Sequence, residues 1–379
     1  MIYQLPLIFC FLGHILYDSP LKYRRGGILW GILFVTLVLI MGLRYKVGAD
    51  TYNYMSFFEY CPNIYNWTVI HLSGFEPGFT YLSAIIKTFT DNIYVYQTIL
   101  AFITTYLLMS FVYKNTQYRF MGMLILFVAV YPYFLTEIMR ESIAVVGLLT
   151  IYPLCEKKKY LLYSLIVLLL VTFHSSACVG WIIPFVHRLR LNRFFFFILV
   201  SFLLFSFALF AVIEYMASFP LFARLLRYNE QLYVGYLWCG LRFLYFAVLP
   251  MSVVYICKKK FGLTTKYEGI VCLQILFGFG LWIVPIIFQR LINYTIVFYI
   301  ISMVNMLETV IHNPEYKLHI SLRVCKLRSQ LARLVILLTI ILHMTYYIHL
   351  DFYKIWIPYH SIFNPIEVLE RSEFVQGET

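Results

Sequence analysis

The sequence predicts an all-α integral membrane protein, a polytopic helical bundle of about twelve transmembrane helices (ten to thirteen). Three observations carry that expectation. Of the 379 residues, 62% are hydrophobic and only 13% charged, with a mean hydropathy of +0.79. Soluble domains carry about 25% charged residues, so this chain has too few polar groups to cover itself in water. Runs such as Ile28–Leu43, Phe194–Ala217 and Tyr236–Cys257 approach or exceed the ~20 residues a helix needs to cross a bilayer. Strict alternation of apolar and polar residues is absent, which argues against a β-barrel.

Taken in order, the apolar runs place spans at 2–17, 28–43, 92–112, 120–136, 141–155, 160–173, 176–187, 194–217, 236–256, 267–288, 291–310 and 334–349. The first run, Ile2–Tyr17, lacks a basic leader and a small-residue cleavage site and reads as a retained helix. Glu76–Phe89, "EPGFTYLSAIIKTF", is apolar enough to enter the membrane but short for a crossing. With Pro77 near its start it reads as a re-entrant or interfacial helix. Residues 1–349 then form one polytopic domain and 350–379 a short tail.

Charge orients the bundle. Lys22–Arg25, Lys114–Arg119, Lys157–Lys159, Arg188–Arg193, Lys258–Lys266 and Lys317–Arg333 fall on alternate connections and hold 20 of the 30 lysines and arginines. The positive-inside rule makes that face cytoplasmic and puts both termini outside. The net charge of +12 therefore records orientation and does not call for nucleic acid as a partner. The eight cysteines are scattered, with no metal-ligand or redox spacing, and no ligand cluster calls for a metal. No glycine-rich phosphate loop is present, which argues against an ATP-driven pump within this chain and leaves no cofactor expected.

The basic residues outside those clusters are the informative ones. Arg44, Arg140, Arg224, Arg227, Arg242 and Arg290 lie on the opposite connections or near the helix ends beside them. An arginine there marks a functional site by default and grips phosphate with two parallel hydrogen bonds. The competing reading is snorkelling or helix-end pairing, for Arg140 with Glu137 or Glu141. "FHSS", Phe173–Ser176, sits at a hairpin tip on the same side, where His174 either takes a proton from a hydroxyl or braces a helix end. Asp50, in "VGADTYNY" behind the flexible Gly48, either holds sugar hydroxyls among tyrosines or pairs with Arg44. Glu76, before Pro77, either contacts substrate or caps the helix that it opens. Arginines, one histidine, carboxylates and tyrosines on one face suit a substrate with a phosphate-bearing lipid end and a carbohydrate end.

The order of short motifs resembles a known family. Arg44, Gly48, Asp50 and Tyr54 spell R-x-x-x-G-x-D-x-x-x-Y; "FEPGF" (Phe75–Phe79), "RESIA" (Arg140–Ala144), "FHSS" and "PYHSIF" (Pro358–Phe363) follow. This is similar to the EpsG family of bacterial membrane proteins, related to the Wzy polymerases of O-antigen, capsule and exopolysaccharide. Members often carry "RQ" and "YR" where this chain has Arg140–Glu141 and Tyr359–His360. The resemblance implies a multi-pass protein of the bacterial inner membrane that polymerises undecaprenyl-pyrophosphate-linked oligosaccharide repeats at its outer face. Set beside that reaction, the residues read above make His174, Arg140 and Asp50 the expected catalytic residues and Arg44, Glu76, Arg224, Arg227 and Arg290 the expected substrate-binding ones. A chain-length regulator and a flippase are its implied partners. Two alternatives stay open: a membrane glycosyltransferase using polyprenyl-phosphate sugars, or a flippase of the same lipid-linked unit.

Overall fold

A computed structural model describes residues 2–18, 26–48, 50–66, 75–215, 236–312, 329–340 and 359–365. Among the described residues the regular elements are all helical, joined by two isolated β-bridges. The chain packs into two compact units, residues 1–178 with 336–379, and residues 179–335.

The first unit contains α1 (Gln4–Tyr17), α2 (Gly27–Gly42), α3 (Thr51–Tyr60), α4 (Pro77–Phe89), α5 (Ile93–Asn115), α6 (Arg119–Ala129), α7 (Tyr131–Thr136), α8 (Met139–Glu156) and α9 (Tyr160–Val171). A 3-10 helix begins at Ser175. Local chemistry sets many of the boundaries. Asn92 starts α5 by accepting the amides of Tyr94 (2.8 Å) and Val95 (3.4 Å). Asp18 does the same for α6 from a distance, accepting the amides of Phe120 (3.2 Å) and Met121 (2.8 Å). Pro77 and Pro132 open α4 and α7, where the missing N–H costs nothing.

α2 packs against α5, α1 against α6, and α8 against both α5 and α9. The α2–α5 contact needs a glycine, because a Cβ at Gly42 would strike the side chain and backbone of Thr98. Every residue of α6 is buried. By contrast α1, α2 and α9 turn leucines and isoleucines outward, including Ile15, Ile28, Leu161 and Leu165. Apolar side chains on the outside of a helical bundle are what a lipid environment selects.

The second unit holds helices Arg193–Tyr215, Tyr236–Phe243, Leu249–Phe261, Glu268–Gly280, Pro285–Asn293 and Ile296–His312. Glu268–Gly280 is its hub, in contact with each of the others. A π-turn, Leu244–Val248, joins two of the helices into one continuous rod.

Among the described residues, only Ile93–Asn115 and Cys239–Phe261 are long and apolar enough to cross a bilayer alone; Pro285–Asn293 with Ile296–His312, bent by 60°, makes a third if counted together. Shorter apolar helices occupy most of the remaining expected spans that fall on described residues. Several of those spans are broken. The run 120–136 divides at Val130, before Pro132, and 267–288 divides at residues 281–284, before Pro285. Proline cannot donate the helical hydrogen bond and its ring displaces the preceding turn. The run 176–187 is mostly 3-10 rather than α-helix.

Candidate functional site

The motifs that lie far apart in sequence meet in the first unit, around the start of α8. Gly48 takes a left-handed φ of +104°, and a Cβ there would lie 2.7 Å from Thr136 Cβ. That close approach lays the segment after α2 along the residues that precede α8. The Asp50 amide donates to Glu137 Oε2 at 3.2 Å, and the Thr136 hydroxyl donates to Glu137 Oε1 at 3.3 Å. The Asp50 carboxylate accepts from Asn53 Nδ2 at 3.3 Å.

α4 comes to the same place by its N-terminus. The Gly78 amide donates to Thr172 O at 2.7 Å, and a Cβ on Gly78 would clash with that residue. Glu76 therefore stands at the N-cap of α4, but its carboxylate makes no capping bond. It pairs instead with Arg140 Nη1. The Arg140 guanidinium lies 4.0 Å above the Phe75 ring centroid, a cation–π contact, while its buried Nε has no hydrogen-bond partner among the described residues. Phe57, Phe75, Phe79 and Tyr54 pack below, with Phe57 and Phe75 centroids 4.5 Å apart. Burial pushes the Tyr54 phenol up to about 12, against the opposing pull of Arg140.

The next residue on α8 turns the other way. Glu141, 2% exposed, faces His174, with 3.9 Å between Oε2 and Nε2, an ion-pair separation longer than a hydrogen bond. His174 is 6% exposed. Its Nδ1 lies 2.6 Å from Ser176 Oγ and accepts the Ser176 amide at 3.4 Å, so the ring starts the 3-10 helix.

Arg44 is enclosed rather than open to solvent. It is 1% exposed, and its guanidinium donates to Met41 O at the end of α2 and to Met139 Sδ at 3.2 Å. Burial pushes it down to about 10, so it stays charged at neutral pH. Its backbone bridges to Ser361, with Tyr45 donating to His360 O (2.8 Å) and Ile362 to Leu43 O (3.1 Å). The Tyr359 hydroxyl donates to Ile40 O at 2.8 Å. The "PYHSIF" motif thus seals the end of α2.

Of the residues expected to act, Asp50, Glu76, Arg140 and His174 come together, with Arg44 buried against Met139. Arg290 is exposed on helix Pro285–Asn293 of the second unit. Arg224 and Arg227 lie outside the described residues. Arg140 takes neither of the sequence neighbours named for it, Glu137 or Glu141, and Asp50 does not pair with Arg44. Glu137 as the acceptor that fixes Asp50, and Ser176 as the partner of His174, were not foreseen. Their signals were present in "TEIMRES" and in the hydroxyl two residues after the histidine. Among the described residues no three His, Cys, Asp or Glu side chains are gathered to hold a metal.

A helical membrane protein whose motifs converge on a partly buried arginine, a histidine and four carboxylates is the class that the fold and site define. The chain belongs to the EpsG family, whose model matches residues 27–361, nearly its whole length. No curated protein and no solved structure matches it. Membership places it among the membrane proteins of polysaccharide synthesis.

Proposed function

We propose that this protein is a Wzy-type polymerase, joining undecaprenyl-pyrophosphate-linked oligosaccharide repeats at the outer face of the bacterial inner membrane. The observation that carries the reading is the start of α8, where Arg140 and Glu141 reach in turn to Glu76 and His174. A cation suited to a departing pyrophosphate thus stands one residue from the partner of a base suited to a sugar hydroxyl. In the reaction, a hydroxyl oxygen of one repeat bonds to the anomeric carbon of the growing chain. The bond from that carbon to undecaprenyl pyrophosphate breaks, and its electron pair leaves with the phosphate.

Arg140 stabilises the charge that grows on the pyrophosphate, a task worth most where water is scarce. The phosphate displaces Glu76 from the guanidinium on binding. His174 receives the acceptor's proton. Asp50 holds sugar, and Arg44 positions the start of α8 through Met139. The twelve-span, multi-pass topology with this site outside, and assistance from a chain-length regulator and a flippase, belong to the same proposal.

Deleting the protein in its host tests it. The expected outcome is surface glycan one repeat long, with no ladder of longer chains. A flippase would instead leave repeats trapped on the cytoplasmic side, and loss of every surface repeat would favour that reading. A transferase that adds one sugar would leave a ladder of altered composition.

A further inference from the structure

We infer that Ser176 is the group through which the acceptor's proton reaches His174, and that Glu141 is a positioning residue for the imidazole; the inference rests on the polymerase reading. The argument begins with the tautomer. A backbone N–H can only donate, and the Ser176 amide is directed at His174 Nδ1. Nδ1 is therefore the unprotonated nitrogen, and Nε2 carries the proton and faces the Glu141 carboxylate. It follows that the Ser176 hydroxyl, 2.6 Å from Nδ1, donates to it.

The ring itself is nearly enclosed, at 6% exposure, and its lone pair is covered by Ser176. A sugar hydroxyl meets the serine before it meets the imidazole. Ser176 is half-buried and the neighbouring Ser175 is exposed, so the approach is from the side of the serines. The acceptor's O–H donates to Ser176 Oγ. As the acceptor oxygen bonds to the anomeric carbon, its proton passes to Oγ while the serine's own proton passes to Nδ1. The bond from that carbon to pyrophosphate breaks with its electron pair on the leaving group. Ser176 ends as it began, His174 ends as imidazolium opposite the Glu141 carboxylate, and the proton then passes to solvent. Among the described charged groups near the ring, Glu141 faces it, Arg140 is turned to Glu76, and Glu137 is turned to the Asp50 amide.

The test uses purified full-length protein and its lipid-linked repeat unit. Ser176→Ala removes the hydroxyl and keeps the backbone amide that starts the 3-10 helix. Its kcat should fall by roughly 10²-fold or more, toward the loss of His174→Gln, at nearly unchanged KM. Ser176→Thr restores a hydroxyl and should recover most of the rate. Glu141→Gln keeps a polar side chain without the charge and should lower kcat less than Ser176→Ala does. In the wild type, rate against deuterium fraction should curve, because two protons move. A linear plot, a Ser176→Ala kcat within about threefold of wild type where a lost base typically costs ~10²–10⁴, or a glycosyl adduct trapped on Ser176 would each overturn the relay. Failure of the wild type itself to lengthen chains would instead overturn the polymerase reading.

Discussion

Arg140 and Glu76 separate a structural ion pair from a catalytic arginine, because the two roles give opposite patterns. Both side chains are 23% exposed, between the surface and buried limits. Exposed pairs are worth about 0–1 kcal/mol and breaking a buried pair costs about 3–5 kcal/mol, so Glu76→Gln should destabilise by roughly 1–2 kcal/mol. Arg140→Ala also loses the contact with Phe75, worth about 0.5–2 kcal/mol, and should cost roughly 2–3 kcal/mol. In stability the two substitutions are alike. In rate they should differ. Removing a group that stabilises the leaving charge costs ~10²–10³ in kcat, whereas Glu76→Gln leaves that group in place and frees it for phosphate. Purified variants assayed for chain lengthening should therefore show Arg140→Ala slow in either Glu76 background, with Glu76→Gln near wild type. Arg140→Lys should fall between, keeping charge without the fork. If Glu76→Gln is as slow as Arg140→Ala, and the double variant no slower than either, Arg140 only holds α4 in place.

Arg44→Ala should lower yield and thermal stability by roughly 2–4 kcal/mol, since Met41 O loses its buried donor and a large side chain leaves the core; activity per folded molecule should stay within a few-fold. A stable but inactive Arg44→Ala would place Arg44 on the substrate. Gly48→Ala should destabilise by more than about 1 kcal/mol, seen as a lower unfolding temperature in detergent, because alanine meets both a left-handed φ and Thr136. With native cysteines removed, single cysteines at positions 138 and 175 should react with an impermeant reagent from outside, and one at 158 should not. Labelling of 158 without 175 would invert the topology.

The helical, membrane class was legible because hydropathy and charge bias act on whole segments. The breaks were partly legible too, since Pro132 and Pro285 mark two of them. α3 escaped notice: Thr51–Tyr60 is polar and aromatic, and its buried face, Thr51, Tyr54 and Phe58, emerges only once α5 is there to cover it. Pair choice was the least legible feature. Proximity in sequence favoured Glu141 for Arg140, yet adjacent residues on a helix point about 100° apart and do not face each other. The partner actually taken, Glu76, is 64 residues away, brought in by the Gly78–Thr172 contact, which no local pattern announces. Arg44 illustrates the converse. Its type and position fit a phosphate ligand, and only the docking of Ser361 on its backbone shows it enclosed.

The carboxylates themselves have a common electrostatic cause. Asp50 is the N-cap of α3, Glu76 is the N-cap of α4, and Glu141 lies in the first turn of α8. Three helices thus direct their positive ends, each equivalent to about half an elementary charge, at one layer that also holds Arg140. In the low-dielectric surroundings of a membrane protein such a concentration needs negative charge nearby. Yet neither Asp50 nor Glu76 uses its side chain to cap the helix that it begins. Each stands beside the helix end, where backbone carbonyls take early amides: Thr51 donates to Gly48 O and Gly78 to Thr172 O. On the polymerase reading, the anionic end of a donor must displace Glu76 from Arg140, in a layer that also holds Asp50, Glu137 and Glu141. The pyrophosphate end of a lipid-linked donor would, on that reading, meet Arg140 and its carbohydrate would lie toward Asp50, an orientation that photo-crosslinking from either position would test.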